Sequence, residues 1–497
     1  MTNQEFGDLL PLEKIPTGIE GFEHISLGGL VEGRTTLLVG TSGSGKTVFT
    51  VELLFRAITQ FSRPGVFVTF EERPVDIVRN VRRLGWNLGE LVEQGKLAFI
   101  DGSFDRSITA ETGTYDLSGI ISQISYAVKT VGAKLVILDS LGALFHQYSD
   151  PAILRREIFR ITDVLQSLGV TSVMTSERLE EFGPISRHGI EEFVTDCVIV
   201  LRHVLDEEHV RRTIQIHKMR GTLHHDGQFP FLIDDRGVSI LPLSAMELKQ
   251  LSSSERISFG NVDLDGMAGG GLFRDSIILV SGPTGGGKTL MCATFVAESC
   301  RKGERVLLLG YEESREQLLR NAQSWGVDFD KWEKQGLLRM VCQYPEAQGL
   351  EGHLLSIRRE IESFKPRRMV MDSVSALERI ANLRVFREFL IGLTSYVKQE
   401  QVCTLLTCTT PELSGGESIT ESHISTITDA IILLRYVMID TSLRRGMIII
   451  KMRGSQHAKD IREFTIDNQG LHVGRPLSNI HDILSGIPSA TSAVPSS

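Results

Sequence analysis

Two glycine-rich stretches of this 497-residue chain carry residue types that bind nucleoside triphosphates. They run from Gly40 to Thr47 and from Gly282 to Thr289, and both fit the pattern G-x-x-x-x-G-K-[ST]. The glycines let backbone N–H groups turn toward phosphate oxygens, and the lysine reaches the β- and γ-phosphates. The residues expected to contact ATP are Thr41, Ser42, Gly43, Ser44, Gly45, Lys46, Thr47, Thr284, Gly285, Gly286, Gly287, Lys288, Thr289 and Leu290. Thr47 and Thr289 are the expected Mg²⁺ ligands.

Each loop stands between an apolar run and a long amphipathic run. Buried-strand patterns end just before Gly40 and Gly282, and helical patterns cover residues 48–59 and 290–301. Strand, loop and helix in this order form a phosphate site at the helix N-terminus. The setting favours two ATP sites over two chance turns.

Two aspartates end predicted strands. Asp139 closes residues 134–139, and Asp372 closes residues 368–372. A carboxylate at this place in a P-loop enzyme binds the water shell of Mg²⁺. An aspartate that merely starts a turn is the alternative, and the two P-loops favour the metal role.

Two pairs of glutamates follow the strand after each P-loop helix, Glu71 with Glu72 and Glu312 with Glu313. A carboxylate there can orient and deprotonate a water or a hydroxyl for attack on the γ-phosphate. Because neighbouring carboxylates repel, we expect one pKa in each pair to be raised. The alternative is an acidic helix N-terminus, which the helix dipole favours. Recurrence in both halves favours catalysis, and Glu312 is also a candidate metal ligand.

A basic block recurs after a β-rich run in each half. It lies too far along the chain to serve its own P-loop, so we expect it to reach ATP across a subunit boundary, where arginine stabilises charge on phosphate. The alternative is a basic surface turn. The candidate residues are Lys218, Met219, Arg220, Thr222 and His224 in the first half and Lys451, Met452, Arg453 and Ser455 in the second.

The order of these motifs indicates a tandem duplication. The two P-loop lysines are 242 residues apart, the glutamate pairs 241, and both the aspartates and the block lysines 233. A period this long means two whole domains. Alternation of strands with amphipathic helices predicts an α/β fold with a mostly parallel sheet in each. We place the domains at residues 1–247 and 248–485, with a short tail at 486–497.

The halves differ where their motifs can be aligned on Asp196 and Asp429. Ser425 and Thr426 then stand opposite Glu192 and Phe193. The second half therefore offers hydroxyl groups where the first offers a carboxylate and a ring. A phosphate on a hydroxyl would add a charge of about −1.5 to −2, enough to switch an interface.

The composition is that of an ordinary globular protein, with 41% hydrophobic and 23% charged residues. The net charge of −9 argues against a general nucleic-acid coat. The six cysteines form no C-x-x-C pair, so we expect reduced thiols in the cytoplasm. We find no signal-peptide pattern and no membrane-span pattern.

The chain resembles the KaiC family, double-domain RecA-like ATPases and autokinases of the cyanobacterial clock, over nearly its whole length. The matching segments are Glu71-Glu-Arg-Pro, Lys218-Met-Arg-Gly-Thr, Tyr311-Glu-Glu-Ser-Arg-Glu-Gln-Leu-Leu-Arg-Asn-Ala, His423-Ile-Ser-Thr-Ile-Thr-Asp and Lys451-Met-Arg-Gly-Ser. The resemblance implies a two-tiered homohexamer with ATP between subunits. The N-terminal ring would hydrolyse ATP slowly, and the C-terminal ring would phosphorylate and dephosphorylate neighbouring hydroxyls.

The resemblance also implies roles for single residues. Ser425 and Thr426 would be the phosphate acceptors, with Thr420 a transient one. Glu312 or Glu313 would be the general base of the kinase. Trp325 and Arg445 would contact the C-terminal nucleotide, and Lys218, Arg220, Lys451 and Arg453 would reach the adjacent subunit's ATP.

The resemblance implies partners as well. A KaiB-like protein could bind the N-terminal ring. Family members that respond to KaiA carry a longer, charged tail after the segment ending at Pro488, so we do not expect KaiA to stimulate this protein.

Two other functions fit parts of the pattern. A RecA- or DnaB-type motor on single-stranded nucleic acid would share the fold, but the acidic balance and the lack of a basic, aromatic stacking loop argue against it. A scaffold held together by ATP would need neither glutamate pair.

Overall fold

The computed structural model describes residues 12–103, 117–142, 151–186, 189, 191–206, 209–242, 252–410, 424–439, 442–477, 480–481 and 489–490. The chain divides into two compact units, Met1–Ala245 and Met246–Ser497. None of the helices in these ranges combines the length and apolar character that a membrane crossing requires.

The first unit contains a nine-stranded sheet with the order β11-β10-β9-β8-β3-β7-β6-β4-β5. The strands of this unit, of which β1 and β2 form a separate two-stranded sheet, are β1 Lys14–Ile15, β2 Leu30–Val31, β3 Thr35–Gly40, β4 Gly65–Thr69, β5 Leu97–Asp101, β6 Leu135–Asp139, β7 Thr171–Glu177, β8 Cys197–Asp206, β9 His209–Met219, β10 Phe229–Asp234 and β11 Gly237–Ile240. Its helices are α1 Phe22–Ser26, α2 Lys46–Phe61, α3 Pro74–Val81, α4 Leu88–Glu93, α5 Ser118–Val131, α6 Pro151–Ser167 and α7 Glu191–Val194, with a 3₁₀ turn at Arg82–Leu84.

The second unit repeats this topology, with the order β16-β15-β17-β18-β14-β19-β20-β21-β22. Its strands are β12 Arg256–Ile257, β13 Leu272–Phe273, β14 Ile277–Gly282, β15 Val306–Gly310, β16 Leu338–Cys342, β17 Arg368–Asp372, β18 Cys403–Thr409, β19 Ala430–Ile439, β20 Ser442–Met452, β21 Arg462–Asp467, β22 Gly470–Pro476, β23 Ile480–His481 and β24 Ser489–Ala490. Its helices are α8 Val262–Met267, α9 Lys288–Arg301, α10 Arg315–Ser324, α11 Phe329–Lys334, α12 Leu350–Phe364, α13 Val374–Glu378 and α14 Leu383–Gln399, with a 3₁₀ turn at Pro345–Ala347.

Six strands of each sheet are parallel, and the three at one edge are antiparallel. The P-loop strands β3 and β14 lie inside the parallel part and are buried along their whole length. They therefore lack the strict alternation of apolar and polar residues that a half-exposed strand shows. Hydrophobic clusters on both faces of the first sheet include Phe49 on one side and Ile124 on the other.

The predicted fold class is confirmed: each unit has a mostly parallel sheet flanked by helices, as in tandem RecA-like domains. The predicted P-loop helices begin two residues too late, because the loop lysine itself opens each helix. Gly45 and Gly287 have φ of 100° and 103°, a left-handed conformation that leaves the following lysine as the first helical residue.

Candidate ATP and phosphotransfer sites

The P-loop lysine of each unit folds back over its own loop. Lys46 Nζ donates to the carbonyls of Gly40 and Thr41, at 3.0 Å each. Lys288 Nζ does the same with the two corresponding carbonyls of its loop, at 2.9 and 3.0 Å. Burial lowers the pKa of both ammonium groups, and nearby carboxylates oppose that shift. Each loop therefore closes around a buried cation at the carboxyl edge of its sheet.

The predicted metal-binding threonine and aspartate are in contact in both units. Thr47 Oγ1 donates to Asp139 Oδ2 at 2.7 Å, and Thr289 Oγ1 donates to Asp372 Oδ2 at 2.9 Å. The other oxygen of each aspartate accepts from a threonine on the neighbouring strand. Burial raises the pKa of Asp372. Hydroxyl and carboxylate oxygens are hard donors of the kind that Mg²⁺ prefers, so this pair of groups fits the ion.

The first glutamate of each pair lies next to the aspartate. Ser140 donates to Glu71 Oε1 at 2.8 Å, and Ser373 donates to Glu312 Oε1 at 2.8 Å. In each unit the serine is the residue after the aspartate, so one hydrogen bond ties the glutamate to the end of the aspartate strand.

The second glutamate of each pair has the raised pKa. Asn80 donates to Glu72 Oε2 at 3.3 Å, and Asn321 donates to Glu313 Oε2 at 2.7 Å. Burial is the main cause of both raised pKa values, followed by the charge of the strand-ending aspartate. The neighbouring glutamate contributes less than either. The expectation of a raised pKa therefore agrees with the structure, but the repulsion given as its reason is a minor cause.

In the first unit these groups line one cavity of about 500 Å³. The cavity gathers the loop, both glutamates and the aspartate, and also residues that the sequence did not single out. Its lining is Ser42, Gly43, Gly45, Lys46, Thr47, Val48, Thr69, Glu71, Glu72, Asp139, Ser140, Glu177, Arg212 and Ile233.

The repeat could have revealed one of the missed residues. Arg212 lies 233 residues before Arg445, the same offset that relates the aspartates. The strand pairings agree, because Arg212 faces His203 and Arg445 faces Tyr436 at matching places. Arg445 lies over the Tyr436 ring, 5.8 Å from its centroid.

The basic block of the first unit holds a nearby backbone segment. Lys218 Nζ donates to the carbonyls of Glu192 and Thr195, at 2.5 and 2.6 Å. Arg220 Nη2 donates to the carbonyl of Phe193 at 3.4 Å. Burial lowers the pKa of Lys218.

The block of the second unit holds the segment that carries the candidate acceptors. Lys451 Nζ donates to the carbonyls of Ser425 and Thr428, the latter at 2.7 Å. Arg453 Nη2 donates to the carbonyl of Thr426 at 2.6 Å. Ser425 is half-buried and Thr426 is exposed. Matching bonds in the two units support the alignment of Ser425 and Thr426 with Glu192 and Phe193.

Along the direction of the strands, both blocks lie at the end of the sheet opposite to their own P-loop. Met452 pairs with Ala430, which pairs with Ile278 near the start of β14, whereas the loop leaves β14 after Gly282. Four residues of strand, about 13 Å, separate the two levels. The blocks are therefore remote from the ATP site of their own unit.

Other predicted contact residues are engaged within their own unit. Met219 and Leu290 are buried in the hydrophobic core, and Met452 packs against it. The hydroxyl of Thr41 donates to Glu181. Ser44 is fully buried.

The remaining predicted residues lie around the basic blocks or beside the core. Ser455 accepts from Arg256 Nη2 at 2.6 Å, and Thr222 donates to the carbonyl of Leu223 at 3.2 Å. His224 Nδ1 lies 3.3 Å from a carbonyl oxygen, and Trp325 is half-buried at the end of α10. Thr420 and most of the tail after residue 485 fall outside the described residues.

Comparison with known proteins agrees with the duplicated site. A family model of the KaiC ATPase matches residues 15–245 and again 258–478. The chain is 53% identical to the circadian clock oscillator protein KaiC of Prochlorococcus marinus (strain MIT 9313), over 96% of each chain. It is 53% identical to the circadian clock protein KaiC3 of Synechocystis sp. (strain ATCC 27184 / PCC 6803 / Kazusa), over 97% of this chain and 95% of that protein. It is 51% identical to KaiC of Synechococcus elongatus (strain ATCC 33912 / PCC 7942 / FACHB-805), over 96% and 92%.

Proposed function

The chain belongs to the KaiC family of ATPases, and from that premise we propose that it is an ATP-dependent serine/threonine autokinase, autophosphatase and ATPase of a circadian or related timing system. One observation supports the kinase activity most strongly. The two cations expected at a neighbour's ATP, Lys451 and Arg453, hold the backbone of Ser425 and Thr426. Whatever places these cations beside a γ-phosphate also brings the two hydroxyl-bearing residues there.

We assign the two activities to different units. The first unit hydrolyses ATP, with Glu71 and Glu72 acting on a water. The second transfers the γ-phosphate to Ser425 or Thr426, with Glu312 or Glu313 accepting the hydroxyl proton. In the transfer, the hydroxyl oxygen forms the new bond to phosphorus, the bond to the β–γ bridging oxygen breaks, and ADP leaves.

Each unit supplies the residues for a metal-assisted reaction. Thr47 with Asp139, and Thr289 with Asp372, would hold Mg²⁺, and Glu312, which accepts a hydrogen bond from the residue after Asp372, would assist. The bound ion would neutralise charge on the β- and γ-phosphates. Lys46 and Lys288, which hold their own loops, would bind the phosphate oxygens.

We propose that the sites are completed between subunits of a homohexamer. Each basic block lies at the end of the strands opposite to its own P-loop. A ring in which this end of one subunit meets the P-loop of the next would therefore bring the block to the next subunit's ATP. A KaiB-like protein is the partner we propose for the ring of first units.

The test is incubation of the full-length chain with γ-labelled ATP and Mg²⁺, followed by peptide mapping. We expect label on Ser425 and Thr426, and loss of this label in Ser425→Ala with Thr426→Ala. A Ser442→Ala control, in the same unit but outside the acceptor segment, should label normally. Steady ATP turnover with neither residue labelled would reject the kinase.

A further inference from the structure

Glu177 enters the cavity of the first unit beside the P-loop. It is the last residue of β7 and pairs with Gly40, the first residue of the loop. Two residues earlier on the same strand, Thr175 donates to Asp139. Because alternate residues of a strand point to the same face, Glu177 shares the face of that contact and lies about 7 Å farther along the strand, toward the phosphate loop.

Among the residues that the structure describes, no group donates a hydrogen bond to the carboxylate of Glu177. Glu71 and Glu72 accept bonds from Ser140 and Asn80, whereas across the described part of the chain the Glu177 side chain accepts none. It is half-buried and lines the cavity. Of the carboxylates that oppose the lowered pKa of Lys46, Glu177 has the largest effect. A carboxylate that accepts no hydrogen bond from the described residues therefore lines the cavity together with the loop lysine.

The second unit has a threonine at this position. Thr409 ends β18 and pairs with Gly282, the first residue of the second loop. Its backbone N–H donates to Ser375 Oγ at 2.8 Å. The catalytic groups on the strands and loops around it correspond one for one to those of the first unit. The two sites therefore match in these groups and differ at the end of this strand, where the first unit has a glutamate and the second a threonine.

We propose that Glu177 is a third catalytic carboxylate of the first unit, which accepts a hydrogen bond from the water that attacks the γ-phosphate. The inference rests on the proposed ATPase function and deepens it. The water oxygen forms the new bond to phosphorus, the bond to the β–γ bridging oxygen breaks, ADP leaves with that electron pair, and the water proton passes to Glu71 or Glu72. Carboxylates from two strand ends that line the same cavity, Glu177 at the end of β7 and Glu71 or Glu72 after β4, together orient a water for attack.

The same carboxylate would hinder the chemistry proposed for the second unit. An autophosphatase must readmit a phosphorylated side chain to its site, and a carboxylate beside the phosphate would repel it. The neutral Thr409 leaves this approach open. The residue at this position, Glu177 in the first unit and Thr409 in the second, thus helps to determine whether water or a protein side chain reacts.

The first test measures ATP hydrolysis by Glu177→Gln in full-length chains that also carry Glu312→Gln and Glu313→Gln, so that turnover comes from the first unit. We expect kcat to fall at least about tenfold while the KM for ATP stays equal or decreases, because a repelling charge is removed as the water loses an acceptor. Glu180→Gln removes an exposed carboxylate three residues away and should leave both constants unchanged.

A kcat within twofold of the parent, or a raised KM alone, would overturn the proposal and leave Glu177 as an ion partner of Lys46. Absence of hydrolysis in the parent chain would instead reject the proposed ATPase function.

The second test introduces the carboxylate into the other unit. Thr409→Glu is made in chains with Glu71→Gln and Glu72→Gln, and both phosphate release and labelling of Ser425 and Thr426 are followed. We expect the ratio of hydrolysis to labelling to rise at least about tenfold. An unchanged ratio in an assembled protein, judged by its mass in solution, would overturn the assignment even if Glu177→Gln failed to assemble.

Discussion

The two units share one scaffold and differ in how firmly they hold the segment beside the basic block. In the first unit, Asp196 lies 3.5 Å from Arg34, and Lys218 and Arg220 hold the segment's carbonyls. In the second, Asp429 accepts from Lys398 at 2.8 Å and lies 3.5 Å from Arg453, which also holds the acceptor segment. Among the described residues, the aspartate therefore has two cationic partners in the second unit, where hydroxyl acceptors precede it, and one in the first.

The comparison indicates how a duplicated ATPase can acquire a second reaction. The P-loop pattern, the aspartate and the glutamate pair recur in both units with matching hydrogen bonds, so they indicate phosphate chemistry without indicating the acceptor. We propose that the acceptor depends on two other places, the end of the strand beside the P-loop and the segment held by the block. The predictions below change one unit at a time and use the other as its control.

The largest effect is expected from the glutamate pairs. Glu312→Gln with Glu313→Gln should lower labelling of Ser425 and Thr426 about a thousandfold, because no base remains to take the hydroxyl proton. Steady ATP hydrolysis by the first unit should persist. The measurement is incorporation of labelled phosphate beside phosphate release in the same sample.

The matched change in the first unit should give the reverse pattern. Glu71→Gln with Glu72→Gln should remove most steady hydrolysis and leave labelling of the second unit. If labelling disappeared while the assembly stayed intact, the division of activities between the units would be wrong.

The next largest effect is expected from the arginine of the basic block. Arg453→Lys keeps the charge but loses the planar fork that binds the Thr426 carbonyl and Asp429 together. Labelling should fall about a hundredfold, and hydrolysis by the first unit should not change. Arg220→Lys is the control and should lower hydrolysis while sparing labelling. Equal loss of both activities in either variant would show that the blocks do not act on separate sites.

Local motifs made much of the site predictable from sequence. Each P-loop is a single run of eight residues whose glycines and lysine act through the backbone geometry of that run, so its pattern survives in the sequence. Glu177 and Arg212 were missed because the sheet topology brings them to the loop from strands more than 120 residues away, and of the two only Arg212 has a predicted counterpart in the repeat, Arg445. The cause of the raised glutamate pKa values was also beyond the sequence, since burial depends on the folded surroundings.

A moderate effect is expected from the ionic network of the second unit. Lys398 and Gln166 are the penultimate residues of the matching helices α14 and α6. Among the described residues, Lys398 pairs with Asp429, whereas Gln166 has no such ion pair with Asp196. Lys398→Met should destabilise the second unit by about 1–2 kcal/mol and slow labelling severalfold, because Asp429 keeps its charge with one partner fewer. Gln166→Met should change the thermal unfolding midpoint little. Equal shifts for both variants would contradict the difference between the networks.

The smallest effect is a shift in pH dependence. Because burial raises the pKa of Glu313, protonation should begin to slow labelling at a higher pH than it would for an ordinary glutamate. The same argument applies to Glu72 and hydrolysis by the first unit. The rate profiles of the two activities should therefore both fall on the acid side, and Glu313→Gln should remove this limb for labelling only. An acid limb that survives in Glu313→Gln would assign the base to Glu312.

The central claim is that the second unit transfers phosphate from its own ATP to the Ser425 and Thr426 of a neighbouring subunit. It is tested most directly by mixing two inactive chains, one carrying Glu312→Gln with Glu313→Gln and the other carrying Ser425→Ala with Thr426→Ala, and letting their subunits exchange. The account predicts that neither chain is labelled alone and that in mixed assemblies the first becomes labelled on Ser425 and Thr426. Mixed assemblies that form and remain unlabelled would contradict it.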